Sequence, residues 1–229
     1  MGNTFAGQRW DRTWSGFCHE QEYSGTVIGR ISQKGLTILT LERSDKANAL
    51  TAGMLEALTA HLDEVAAGSD RAVILTGAGK VFSAGADLDE ARAGLAVSPL
   101  WERLSARMAA MPCLTIAALN GTLAGGAFGM VLACDLRIAV PQASFFYPVM
   151  RLGFLPQPSD PRRLTALIGP SRAKIILMAG QKVPADQALD WGLLDRIVAP
   201  EVLMAEAERL AEGALAASPE HVAGIKALC

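Results

Sequence analysis

The stretch NGTLAGGAFGMVLACD, residues 120–135, places four glycines and three alanines at what reads as the junction between a buried strand and a helix. Just before it, LTIAAL (114–119) is a short β-branched apolar run of the kind that forms a buried strand. A junction with so few side chains exposes main chain. Glycine has no Cβ to hold a ligand off, and the first amides of a helix lack intrahelical acceptors at the positive end of the dipole. A second Gly/Ala-rich loop, TGAGKVFSAGADLDE (76–90), follows the apolar run AVIL (72–75) in the same way. In parallel α/β sheets, ligands bind beyond the carboxyl ends of strands, where both loops would lie. Two such loops can aim N–H groups at one oxygen, and each donor in an oxyanion hole is worth roughly 3 kcal/mol to a transition state. Either loop alone is better explained by tight strand-to-helix packing; their joint occurrence shifts the balance towards a site.

Outward from these loops, LTILTL (36–41) and LRIAV (136–140) are two further apolar strand candidates. Between 51 and 68, Met54, Leu55, Leu58, Leu62 and Val65 recur at helical spacing, and Gly68 supplies a stop. Between Pro99 and Pro112, Leu100, Leu104, Met108 and Met111 share a face of a second helix. Strands alternating with helices predict an α/β core of parallel strands. After residue 159 the pattern turns helical, with Ser or Pro start signals at Ser159, Pro170, Pro184 and Pro200 and a strand expected only in LLDRIVA (193–199). Residues 1–22 lack a period and read as a loosely held arm. Residues 23–229 read as a single domain, with the α/β core to about 160 and the helical region over 160–229.

The chain has 229 residues, 51% of them hydrophobic, and a formal net charge of -2 with scattered signs. That leaves no basic face for nucleic acid. Cys18, Cys113, Cys134 and Cys229 form no CxxC pair, which points to reduced thiols and a cytoplasmic setting. No secretory core, myristoylation site or apolar run of spanning length occurs, so no membrane association is expected. The GAGK segment fails Walker spacing, since Ile74 and Val81 occupy the positions that need Gly and Ser/Thr. No GxSxG exists, and the histidines are His19, His61 and His221, which gives a serine-hydrolase triad poor support.

VFSAGADL (81–88), followed by NGTLAGGAFGMVLACDLRIA (120–139), resembles the enoyl-CoA hydratase/isomerase family, the crotonases. SDKANALT (44–51), GFLP (153–156), LIGPSRAKIILMAGQKVPADQALDWGLLDRIV (167–198) and SPEHV (218–222) carry the likeness from about residue 25 to the C-terminus. The resemblance implies a spiral of ββα repeats with a helical C-terminal region, assembly as a homotrimer or dimer of trimers, and fatty-acid or related acyl-CoA metabolism. It implies no cofactor beyond coenzyme A as part of the substrate, and no metal. By motif position, the backbone amides of Ala86 and Gly126 would hold the thioester carbonyl of an acyl-CoA as it becomes an enolate. Lys46, Asn48, Ala49 and Leu50, with Ala84, Gly85, Asp87, Leu88 and Gly125, match the segments that line the CoA and thioester site. For Lys46, a solvated loop lysine is an equal alternative.

The match fails where family hydratases carry their two glutamates. Gly129 and Val149 stand at those positions, and neither side chain can move a proton. Some isomerases and dehalogenases of the family place an Asp where this chain has Gln157. Asp160 is the nearest candidate acid/base, against a reading as a helix-capping or first-turn acid. Asp87 and Asp89 read as first-turn acids, Arg151 as a surface arginine or a substrate-carboxylate contact, and Tyr147 as a packed aromatic or a phenol donor. Family members usually continue beyond the equivalent of SPEHVAGIKALC with a helical segment that helps close the CoA site and the trimer, so the expectation here is that a neighbouring subunit covers that gap or that the site is more open. Three readings remain: an enolate-stabilising hydratase/isomerase-class enzyme, a decarboxylase or double-bond isomerase of the same family, and a non-catalytic acyl-thioester binder.

Overall fold

The computed structural model of the chain describes residues 27–229, so the arm expected over 1–22 lies outside the described residues. The hairpin β1 (Ile28–Gln33) and β2 (Leu36–Leu41) is followed by α1 (Ala52–Ala67), which returns the chain to β3 (Ala72–Gly77) and the short β4 (Val81–Ser83). Helices α2 (Leu88–Arg92) and α3 (Leu100–Ala109) lead to β5 (Leu114–Leu119) and β6 (Thr122–Ala124). Helix α4 (Phe128–Leu132) leads to β7 (Leu136–Ala139) and β8 (Ser144–Phe146). Then come α5 (Val149–Leu152), α6 (Asp160–Ile168), α7 (Pro170–Leu177), β9 (Val183–Pro184), α8 (Ala185–Trp191), β10 (Arg196–Ile197), α9 (Leu203–Ala216) and α10 (Pro219–Leu228).

The repeat is therefore strand, short strand, helix. Long strands build a six-stranded sheet in the order β1-β2-β3-β5-β7-β10, and short ones build a second sheet, β4-β6-β8-β9. Strands β2, β3, β5, β7 and β10 run parallel, with β1 antiparallel at the edge. The four apolar runs are four neighbours of the large sheet, and β3 is buried from Ala72 to Thr76. The edge strand β1, IGRISQ, carries no apolar run that would mark it: Gly29 and Arg30 are half-buried, and Ile31, Ser32 and Gln33 are exposed. LLDRIVA contributes only the two-residue β10.

Helix α1 forms as its spacing predicts. Thr51 caps it by accepting from Met54 N–H, and Met54, Leu55, Leu58, Leu62 and Val65 are its buried face. Truncating such a leucine to alanine costs about 2–5 kcal/mol. Helix α3 packs against α1 and α4, so it reaches the second glycine loop. Arg137 ties the sheet to the C-terminal region: it is buried on β7 and donates to the carbonyls of Leu193 at 3.0 Å and Cys134 at 2.6 Å. No helix among the described residues is long and apolar enough to cross a membrane.

Gly121 shows how tightly the repeats stack. A Cβ there would sit 2.0 Å from the Lys80 carbonyl oxygen, because β6 enters directly against β4. Gly121→Ala should lower stability by about 1–3 kcal/mol in urea unfolding. Gly224→Ala, in α10 with open space around its Cβ, should be neutral or stabilise by up to about 1 kcal/mol.

Candidate active site

The two glycine loops meet. A Cβ on Gly85 would lie 2.9 Å from the Ala124 carbonyl oxygen and 3.4 Å from Gly125 Cα, and both glycines hold left-handed φ, +93° and +57°. Only glycine permits this approach in that backbone state. The first loop is fixed from behind. Leu50 N–H donates to Gly85 O at 2.7 Å and Asp87 N–H donates to Leu50 O at 2.8 Å. In such a parallel bridge the intervening residue, Ala86, turns its own N–H to the opposite side. Ser83 Oγ donates to Asn48 O and accepts from Gly85 N–H. Among the described residues, neither the Ala86 nor the Gly126 amide has a hydrogen-bond acceptor.

Both residues line one cleft of about 250 Å³, together with Ala84, Leu88, Gly125, Trp101, Tyr147 and Val149. Trp101, on α3, lays its ring 3.1 Å from where a Gly126 Cβ would stand, and its Nε1 donates to Leu95 O at 2.7 Å. The indole thus accounts for the glycine at 126 by packing, and at the same time seats the loop that lines the cleft. At the cleft mouth, Leu88 and Leu155 are 72% and 87% exposed.

The remaining positions expected to contact substrate separate into those that face the cleft and those that build its walls. Asn48 does not reach the cleft: its Oδ1 accepts from Arg43 N–H, and its Nδ2 donates to the carbonyls of Ala78 and Val81. It is fully buried and holds the loop together. Asp87 caps α2 through the amides of Asp89 and Glu90, and its other oxygen receives Arg43 Nη1 at 2.8 Å. It is the capping residue rather than the first-turn acid that the sequence suggested. The Arg43 guanidinium, with those amides, holds the Asp87 carboxyl below its ordinary value. Leu50 is buried in the core. Lys46 is exposed on a single 3-10 turn, Ser44–Lys46, and Ala49 supplies a carbonyl to Arg43; neither lines the cleft.

Asp160 is 0% exposed and opens α6, yet its carboxylate does not cap that helix. Instead the Tyr147 hydroxyl donates to Oδ2 at 2.9 Å, while Oδ1 has no partner. Oδ1 lies 3.0 Å from where a Cβ on Gly129 would stand. The volume vacated at 129 is therefore adjoined by a carboxyl from another segment. Desolvation pushes the Asp160 carboxyl up to about 7 against the pull of the Tyr147 hydrogen bond and of Arg163. Tyr147 stacks on Phe128 with ring centroids 5.4 Å apart, and burial raises its phenol well above the usual range. Its oxygen also accepts from Gln157 N–H at 3.4 Å. Tyr147 is thus both a packed aromatic and a polar group on the cleft wall, backed by Asp160. Glu102, next to Trp101, accepts from Ser159 N–H and Oγ and so fixes the start of α6. Sequence reading passed over Glu102, which is half-buried beside the packed face of α3 and whose partner Ser159 lies in a distant segment.

A protonated Asp160 in the fold has a direct consequence for stability. The unfolded carboxyl releases its proton near 3.8, the folded one near 7, so the native state binds more protons in between. This contribution to stability is lost as pH rises from about 4 to about 7, by at most about 4 kcal/mol. Asp160→Asn should remove it: the difference in urea midpoint between variant and wild type should move in the variant's favour across that window and level off above it.

Comparisons with known proteins bear on the fold and the family. The enoyl-CoA hydratase/isomerase family profile matches residues 32–229. YngF of Bacillus subtilis (strain 168), named as an enoyl-CoA hydratase/isomerase, is 38% identical over 202 residues, covering 85% of this chain and 77% of its own. A 4-chlorobenzoyl coenzyme A dehalogenase-2 of Arthrobacter is 33% identical over 201 residues, covering 83% and 72%. The crystal structure of an enoyl-CoA hydratase from Bacillus anthracis superimposes with a TM-score of 0.81 at 33% identity, covering 88% of this chain and 81% of that one. Proteins 33% and 38% identical to this chain thus carry dehalogenase and hydratase/isomerase names. The chain belongs to the enoyl-CoA hydratase/isomerase family.

Proposed function

We propose that the protein isomerises a 3-enoyl thioester of coenzyme A to the 2-enoyl form through an enolate held by the Ala86 and Gly126 amides. The observation that supports this reading best is the joint one: two amides without acceptors and the Tyr147–Asp160 pair face or back one apolar cleft. As Tyr147 takes a proton from C2 it passes its own to Asp160 Oδ2. The electron pair moves onto the thioester oxygen, where the two N–H groups balance the charge. Return of the proton to C4 leaves the double bond between C2 and C3. A carboxyl near pH 7 gives and takes protons with little bias, as a shuttle requires.

Hydration through two carboxylates lacks its parts, since Gly129 and Val149 stand at those positions and no carboxylate lines the cleft among the described residues. Decarboxylation of a malonyl-type thioester is a second reading. It is favoured by the apolar wall of Trp101 and Val149, because loss of CO₂ generates the enolate without a base and needs Tyr147 only to return a proton. In this account the carrier leaves the cleft along residues 84–88 and passes over the exposed Lys46, and the exposed rim of Leu88 and Leu155 is consistent with a homotrimer or dimer of trimers.

Assays with 3-enoyl, 2-enoyl and malonyl-type CoA thioesters test the reaction class. Isomerisation needs ionised Asp160, so kcat/KM should rise with pH through about 7, whereas decarboxylation needs the protonated pair and should fall there. Asp160→Asn and Tyr147→Phe should each lower turnover about 10²–10⁴-fold. Hydration of the 2-enoyl thioester at a rate indifferent to both substitutions would contradict the shuttle, and no turnover of any thioester would favour a binding protein.

A further inference from the structure

Beside the thioester cleft lies a second groove of about 370 Å³, lined by Phe146, Pro148, Arg151, Gly180 and Lys182. Phe146, Pro148 and Arg151 also line the cleft, so the two spaces share a wall. The fold brings the cations here from separate segments. Strand β9 pairs antiparallel with β8, Ser144 with Pro184 and Phe145 with Val183, and the same register sets Lys182 opposite Phe146. Its Nζ lies 5.6 Å from the Phe146 ring centroid. Arg151 follows on α5, in the turn after Pro148. Gly180, at φ +64° with open space around its Cβ, adds no side chain to the groove.

No acidic side chain lines this groove, and among the described residues neither Arg151 nor Lys182 forms an ion pair. Two like charges share one concavity without a counter-charge, an arrangement that an anion would relieve. A guanidinium fork beside an ammonium is suited to carboxylate or phosphate oxygens. We propose that Arg151 and Lys182 form an anion subsite that holds a second charged group of the thioester ligand, either a carboxylate at the far end of the acyl chain or a phosphate of the carrier. The inference rests on the thioester reading of the neighbouring cleft. If the carboxylate is the source, the substrate class is a monothioester of a dicarboxylic acid.

Equilibrium binding tests this without requiring turnover. Four saturated ligands are compared by calorimetry: six-carbon acyl thioesters ending in methyl or in carboxylate, each on CoA and on pantetheine. In the wild type, one of two affinity ratios should be large: carboxylate over methyl, or CoA over pantetheine. Lys182→Ala should reduce that ratio about fivefold, as expected for an exposed charge pair. Lys182→Glu should reduce it further, and Lys182→Arg should keep it. Which ratio falls identifies carboxylate or phosphate as the source. Both ratios unchanged within about twofold in Lys182→Ala and Arg151→Ala would overturn the subsite while leaving the thioester cleft standing. A wild type that binds none of the four would instead remove the cleft reading, and the subsite with it.

Discussion

The constraint on which the cleft depends is the contact between Gly85 and Gly125, two left-handed residues whose missing side chains let separate repeats touch main chain to main chain. Everything at the cleft depends on it. The contact sets Ala86 and Gly126, each one residue further on, on the same wall with their amides without acceptors. A Cβ at Gly85 would meet the Ala124 carbonyl oxygen at 2.9 Å and push the loops apart, and a side chain at Gly125 would be strained by its left-handed φ of +57°. Preorganisation of this kind carries its benefit because the donors need not move as charge develops.

The surrounding residues divide between holding that contact and supplying chemistry. Arg43, Asn48, Ser83 and Asp87 hold the first loop through buried and partly buried hydrogen bonds. Helix α3 serves both loops and the start of α6: Trp101 seats Gly126, and Glu102 grips Ser159 next to Asp160. A polar network this buried is stable only if nearly every member is paired. The unpaired Oδ1 of Asp160 is an exception, and it adjoins the vacancy at Gly129.

Much of this was legible in the sequence. Strands β2, β3, β5 and β7 announce themselves as β-branched apolar runs, and α1 by its spacing, because each buries one continuous surface. Strands β4, β6 and β8 have three residues each, too few to show a period, so the second sheet was implied by resemblance alone. The glycine loops carried the site because main-chain approach leaves a trace in residue type. That Asn48 and Asp87 bond main chain could not be read from the sequence, since loop polar residues that satisfy main chain look the same there as those that meet a substrate. The pairing of Asp160 with the vacancy at Gly129 joins positions from different segments and has no local signature.

The account stands or falls on whether the thioester oxygen meets the Ala86 and Gly126 amides. Isotope-edited infrared spectroscopy of a saturated acyl-CoA labelled with ¹³C at the thioester carbonyl measures this directly. Two hydrogen bonds to that oxygen should lower the carbonyl stretch of the bound ligand well below its frequency in water, and the shift should persist in Asp160→Asn, which leaves both amides in place. A bound ligand whose carbonyl stretch matches that of the free thioester would contradict the account.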